Sequence, residues 1–583
     1  MPQPFRFGDF ELDADRRALR LRGRELALQP RVFDLLAYLV RHRDRVVPKD
    51  ELLDTLWPGV VVTESSLQRA VSLARAALQE GRLEDAIRNY SRRGYRFLLE
   101  PGPLQSPGVS ADDAYAAARW REAIEAYAEA DRLAPLDAEA LERWATAGQC
   151  AGELTAAVLP LERAAVAYAS RSEHEAGARV LISLARVQIE SLHAEVAQGY
   201  LRRAARLLQG VPRGEQHGLL AAMTARLHLF QGDLRAAAEC AVEARELGRA
   251  LHNGDVETMG LLYEGIALQA AGETRRGLEL QNEAAASVLA GNVSPLLGGI
   301  VYCGMISSCC HCGDWHRAEQ WTESFTRWCR RGNIEAFTGS CLIHKAEVLV
   351  MSGRLQEARE LLAGAEPVLR EGAPWALGDA HRLTADVQFA CGELGAAERS
   401  YREAHQRGWD PWPGYALLLH RLGRGEEALA GLARAATSTN WAAAERRALY
   451  VAQAAQIAAR MGRRDDAQAR LAALEATPDA WNAGAVEGHV HQARAELQWL
   501  RGEHEAAVAS FQRGIDVHRR FGAVMDLAQA QLRLAECLLT RGESAAAQLE
   551  IDAAAAAFDA AGATGHRETC RAIAQKAALP KTH

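Results

Sequence analysis

Aromatic residues supply only 6% of this 583-residue chain. Sheet-rich sandwiches lean on aromatic and β-branched side chains. Their scarcity beside abundant alanine and leucine favours helices packed through small residues. The eleven cysteines are too sparse and too irregularly placed for a disulfide scaffold. No Gly-x-x-x-x-Gly-Lys-Ser/Thr run occurs, which excludes a P-loop nucleotide-hydrolysing switch. No His-Glu-x-x-His and no Ser–His–Asp signature stands out, so neither an enzyme nor a cofactor is expected. The opening Met1-Pro2-Gln3-Pro4-Phe5-Arg6 lacks the apolar run of a signal peptide.

What is present is ordinary in bulk: 49% hydrophobic and 25% charged residues, which excludes wholesale disorder. At about 150 residues per domain, the length fits roughly four domains or a small head on a long array. The formal charge of −7 is unevenly spread. Residues 1–100 hold 18 basic and 15 acidic groups, net +3, and the remainder holds 50 and 60, net −10. Only the head is suited to a polyanion. One stretch, Ala284 to Cys312, contains no Asp, Glu, Lys or Arg. A membrane span needs about 20 mostly apolar residues. This stretch holds Asn292, Ser294-Pro295 and several glycines, and it keeps the register of a soluble repeat. The expected compartment is a reducing cytoplasm.

The repeat has one frame: an apolar helix ending at Gly, a charged turn, then alanine five residues on. Leu227 to Ala237 around Gly232, and Glu496 to Ala507 around Gly502, both show it. Gly152, Gly232, Gly272, Gly313, Gly353, Gly392, Gly423, Gly462, Gly502 and Gly542 follow at spacings of 80, 40, 41, 40, 39, 31, 39, 40 and 40. The long gap divides at Leu192, with Ala197 five on. Counting back 34 from Gly152 reaches Ala118, with Ala123 five on. In the twelve units the fifth position is Ala, except for Gly277. Glycine relieves left-handed strain at the end of a first helix. A small side chain one turn into the second helix lets the two backbones approach. One such hairpin cannot bury its own apolar stripe, so neighbours stack into a superhelix with a concave inner face. The pattern resembles tetratricopeptide-like repeats, and its spacing near 40 is similar to that of MalT-like sensor arrays.

Two features of the array invite a functional reading. Cys303, Cys309-Cys310-His311-Cys312, His316, Cys329 and Cys341 are ligand-type residues without zinc-like spacing, so buried packing is expected and no metal is assigned. Trp409-Asp-Pro-Trp-Pro-Gly-Tyr415 falls where the spacing contracts to 31. Its prolines break a helix, and its aromatic rings are expected to plug the kink, with an effector pocket on the inner face as the alternative.

The head reads as short strands around Phe5, Phe7 and Phe10, then a hairpin turning at Gly23. Gln29-Pro30 opens a helix with Val32, Leu35, Leu36, Leu39 and Val40 on one face. A second runs from Lys49 to Trp57 and stops at Pro58-Gly59. Thr63 or Ser65 can cap a third, with Leu67, Val71, Ala74 and Leu78 inward and Ser65, Gln68, Arg69, Ser72 and Arg75 outward. Ile87 to Phe97 is a basic hairpin with Arg92 and Arg93 at its tip.

Glu51-Leu-Leu-Asp-Thr-Leu-Trp-Pro-Gly59 before the third helix, and Arg93-Gly94-Tyr95-Arg96-Phe97 in the hairpin, resemble the OmpR/PhoB-type winged-helix domain. The arrangement is similar to CadC-like and HilA-like regulators, with the domain first and no receiver domain before it, hence independent of phosphorelay. The expected fold is an α+β winged helix-turn-helix head followed by an all-α solenoid of tetratricopeptide-like hairpins. The expected boundaries are a head at 1–100, a Pro/Gly linker at 101–110, and an array of about twelve hairpins at 111–580. The resemblance implies that Ser65, Ser66, Gln68, Arg69, Ser72 and Arg75 face the major groove of promoter DNA. It likewise puts Arg92 and Arg93 on the wing, and Trp57 to Val62 in a loop toward RNA polymerase. The third helix has only two arginines, which points to dimers or tandem sites for affinity. The function expected is a bacterial sequence-specific transcription regulator, an activator by type, whose array senses a protein partner or small effector. The alternative is a scaffold whose head no longer binds DNA.

Overall fold

The computed structural model describes residues 5–7, 10–13, 17–21, 24–26, 28–43, 45–57, 64–79, 83, 86–90, 93–98, 110–331, 339–372, 376–438 and 441–578. They fall into two compact units, residues 1–109 and 110–583.

The first unit opens with four antiparallel strands in chain order, β1 (Phe5–Phe7), β2 (Phe10–Asp13), β3 (Ala18–Leu21) and β4 (Arg24–Leu26). Pairing of Leu12 with Leu19 puts both on one face, where they are buried. The turn residue Gly23 lies outside the described residues. Helix α1 (Pro30–Arg41) starts with proline at its first position, where no backbone N–H is needed. It buries Val32, Leu35, Leu36, Leu39 and Val40. Helices α2 (Lys49–Leu56) and α3 (Glu64–Gln79) follow. Leu67, Val71, Ala74 and Leu78 of α3 are all buried in one cluster with α1 and α2. Of the two expected caps, Thr63 lies outside the described residues, and Ser65 does not cap because the helix already includes Glu64 before it. Strands β5 (Ile87–Tyr90) and β6 (Gly94–Phe97) form the terminal hairpin.

The described residues of the second unit form 25 α-helices, read in order as twelve hairpins and a closing helix Thr564–Ala578. All twelve predicted junctions are left-handed. The ten glycines have φ between 76° and 96°, and Ala118 and Leu192 have 53° and 62°. Every alanine at the fifth position beyond is at most 1% exposed. At the exception, Gly277, a Cβ would lie 2.4 Å from the Gly265 carbonyl oxygen of the facing helix. That approach admits no side chain at all.

The two helices of a hairpin differ in what they bury. Gly254–Ala270, a first helix, buries thirteen of seventeen residues, whereas Leu234–Leu251, a second helix, buries four of eighteen. First helices thus lie inside the superhelix, covered on both sides. The uncharged Pro295–Cys312 is a first helix too, long and apolar enough by composition to cross a membrane, and 67% buried within the unit. Its lack of charge follows from that burial.

The superhelix closes on itself. Helix Trp441–Arg460 touches Glu215–Gln231, Gly254–Ala270 and Pro295–Cys312. Ala485 N donates to Gly313 O at 3.2 Å, Trp315 N to Phe521 O at 3.0 Å, and Thr564 Oγ1 to Cys391 O at 2.9 Å. The inner face therefore holds a partly open cavity of about 650 Å³. The tryptophan segment both plugs and lines. Tyr415 stacks between Tyr401 and Trp412, a Cβ on Gly431 would meet the Trp412 ring at 2.1 Å, and Trp409 and Trp412 also border the cavity.

Candidate nucleic-acid interface

A helix presents a readable face only if its other face is fixed. On α3 the buried Leu67–Val71–Ala74–Leu78 stripe does this, and leaves Gln68, Arg69 and Ser72 exposed. Ser66 is half-buried, and the Ser65 side chain lies outside the described residues. Between Glu64 and Glu80 the helix carries no acid, so the exposed face has no charge that repels phosphate.

Arg75 is engaged differently. It is half-buried, and its Nε and Nη2 donate to the Ile87 carbonyl at 3.1 and 2.6 Å. This pair of bonds ties the C-terminal half of α3 to the first strand of the hairpin. Arg93 stands exposed in the hairpin turn, and Arg92 lies outside the described residues. Arg88 and Arg96, opposite each other on β5 and β6, add two cations that sequence reading did not single out. Arg96 Nε donates to Arg43 O at 3.0 Å. The signal for Arg88 was its place directly after the inward Ile87, which turns its side chain to the opposite face of the strand.

The hairpin is anchored through Gly94. Val47 and Tyr95 exchange backbone hydrogen bonds of 2.8 and 3.0 Å, which adds Val47 as a third rung. A Cβ on Gly94, where φ is 135°, would lie 1.9 Å from Val47 O. Only glycine fits this crossing. Helix α2 is held by Glu51, which accepts from Arg45 at 2.5 and 2.9 Å and from the Tyr38 hydroxyl at 2.7 Å. The Arg45 and Tyr38 hydrogen bonds hold its carboxyl down at about 2. Trp57 is half-buried, and the rest of the Trp57–Val62 loop lies outside the described residues.

A two-stranded ribbon bridged to a three-helix core, whose third helix carries no acid beyond Glu64, is the geometry of a winged helix. Residues 23–97 match the family model described as "Transcriptional regulatory protein, C terminal". This segment is an OmpR/PhoB-type domain. The OmpR/PhoB-type segment is similar to the transcriptional activator CadC of Escherichia coli, 31% identical over 103 residues, or 17% of this chain and 20% of CadC. It is also similar to the phosphate regulon regulatory protein PhoB of Rhizobium meliloti, 35% identical over 91 residues, or 15% of this chain and 40% of PhoB. The chain thus spans a fifth to two-fifths of these relatives' length. Among solved structures, NprR in complex with its cognate peptide NprX is 14% identical and covers 58% of this chain and 99% of its own, with a TM-score of 0.43.

The cysteine cluster separates into two environments. Cys309, Cys310 and Cys312 are buried, and burial pushes the first two thiols well above the ordinary range and Cys312 to about 12. Cys303 borders the cavity, 3.4 Å from His344 Nδ1. A hydrogen bond from Cys341, helped by His344, draws its thiol well below that range.

Proposed function

We propose that this protein is a sequence-specific DNA-binding transcription regulator. In this reading α3 enters the major groove of promoter DNA and the β5–β6 ribbon reaches the adjacent minor groove. The observation that carries it is the exposed, acid-free Gln68–Arg69–Ser72 face set beside Arg88 and Arg93 in an OmpR/PhoB-type domain. Gln reads adenine and Arg reads guanine through paired hydrogen bonds, and serine reaches either base edge or phosphate. Ser65, Ser66 and Arg92 complete the contact set. Arg75 acts mainly by fixing the angle between helix and wing, since its guanidinium is turned to Ile87.

Two arginines on the reading helix are few for tight monomeric binding, so a homodimer or tandem sites supply the rest. The Trp57–Val62 loop contacts RNA polymerase, consistent with an activating role such as the name of the CadC relative states. The array of residues 110–583 receives the signal, as a protein partner or small effector, in the cytoplasm. Genome-wide mapping of DNA bound by the full chain tests the reading. A recurrent sequence motif upstream of a set of genes supports it. Uniform background, with no motif enriched, overturns it and leaves a helical scaffold whose head does not read DNA.

A further inference from the structure

The partly open cavity inside the superhelix measures about 650 Å³, within the usual range of small-ligand sites of roughly 300–1,000 Å³. Its wall is mostly apolar, with Leu262, Ile266, Ile300 and Ile343 on one set of first helices and Trp409 and Trp412 at the kink. Into this wall three first helices bring a concentrated polar group, apart from a second one in which Glu347 pairs with Arg382 and Arg446. Glu190 accepts from Arg186 Nη1 and from Arg226 Nη1, both at 3.1 Å and both on the same carboxylate oxygen. Two guanidiniums on one carboxylate leave one positive charge over.

That charge comes with unused donors. The Arg186 side chain is 5% exposed, yet its Nη2 has no hydrogen-bond partner among the described residues. The Tyr263 hydroxyl, on a residue 3% exposed, faces the Arg226 guanidinium and donates its own proton to no atom of the described residues. A buried charged donor left unpaired costs more than an ordinary hydrogen bond returns, so such groups are normally satisfied. Both residues line the cavity, their two donor atoms set just behind its surface. One surplus positive charge and two unused donors fit one carboxylate, and are too few for a phosphate dianion.

We propose that the cavity binds an organic monocarboxylate with an apolar body, the carboxylate on Arg186, Arg226 and Tyr263 and the body against the isoleucine and tryptophan wall. The same chemistry belongs to a small apolar acid and to the free C-terminus of a short apolar peptide. This deepens the sensing role given to the array, and its test is made without DNA, so it fails or holds independently of DNA recognition.

The test uses the full chain and four probes with their neutral counterparts: octanoate and phenylacetate against their amides, and two leucine-rich tripeptides with free against amidated C-termini. Tryptophan fluorescence reports occupancy near Trp409 and Trp412, and protection of Cys303 from iodoacetamide reports that the probe sits in the cavity. At least one acid is expected to bind about tenfold tighter than its amide, the increment of roughly 1.4 kcal/mol that a charged hydrogen bond supplies. Tyr263→Phe keeps the ring and removes the donor, and is expected to weaken the acid and leave the amide unchanged. Binding only by the small acids, or only by the free-ended peptides, identifies the source. The proposal is overturned if no acid binds at millimolar concentration, if acids and amides bind alike, or if saturation leaves Cys303 unprotected.

Discussion

Gly277→Ala sets two effects against each other. In eleven of twelve hairpins alanine occupies this position, and in an unpacked helix alanine is better than glycine by about 0.8–1 kcal/mol. Local propensity alone therefore predicts stabilisation. The structure predicts the reverse. The new Cβ would lie 2.4 Å from Gly265 O and 2.9 Å from Gln269 N, and both are backbone atoms that no rotamer change can move. Helices Gly254–Ala270 and Thr274–Leu289 must separate, and on the far side Gly260 already sits where a Cβ would meet Arg245 N at 2.3 Å. Overpacking of this kind costs about 1–3 kcal/mol, and the wider spacing also weakens the dispersion attraction between the two helices. Subtracting the propensity gain leaves about 0–2 kcal/mol of overpacking, and the lost dispersion keeps the net effect destabilising. Urea titration followed by circular dichroism, beside Ala237→Gly as a control that loses propensity without a clash, measures it. A Gly277→Ala protein as stable as the parent, or more so, would falsify the close-approach argument.

In the head, Gly94→Ala forces a side chain into the Val47 carbonyl at a φ of 135°, and a strained backbone costs about 1–3 kcal/mol. The head's melting transition should fall, and hydrogen exchange at Val47 and Tyr95 should quicken; unchanged protection of both amides would show that the bridge does not hold the ribbon. At neutral pH iodoacetamide should label Cys303 ahead of Cys309, Cys310 and Cys312, read by peptide mass mapping. Faster labelling within 309–312 contradicts the assigned environments. Burial holds His518 down at about 3 and His566 at about 4, below the ordinary 6.5. The unfolded chain then binds the extra protons first, so stability is lost as pH falls below about 6.5, by about 1.4 kcal/mol per pH unit for each group until its folded value is reached. A melting temperature that stays flat from about pH 6.5 to 4 counts against neutral burial of both rings.

Much of this molecule is legible in one dimension, because the determinants are local. A left-handed junction demands glycine or tolerates strain, so even Ala118 and Leu192 are found by counting, and both have positive φ. The Leu67–Val71–Ala74–Leu78 stripe needs only helical spacing. What sequence hides is whatever depends on residues far apart. Closure of the superhelix rests on pairings such as Gly313 with Ala485 and Gly392 with Gly565, which have no shared motif. Buried charge is equally hidden: Glu190 with Arg186 and Arg226, or Glu496 with Arg460 and Arg533, read as surface residues until their helices are stacked. Within the candidate interface the exposed face was legible. The inward turn of Arg75 was not, because its acceptor is a backbone carbonyl twelve residues on.

The most direct trial is binding of the full chain to a mapped operator, titrated over a range of salt, for the parent and for Arg69→Ala and Arg93→Ala. Each phosphate contact contributes about −0.9 to the slope of log affinity against log salt. Loss of Arg93 should weaken every duplex alike and flatten the slope by about that amount, whereas loss of Arg69 should mainly erase the preference for the operator over unrelated DNA. If the parent shows no preference among duplexes even in dilute buffer, and neither substitution alters the slope, the head does not read DNA.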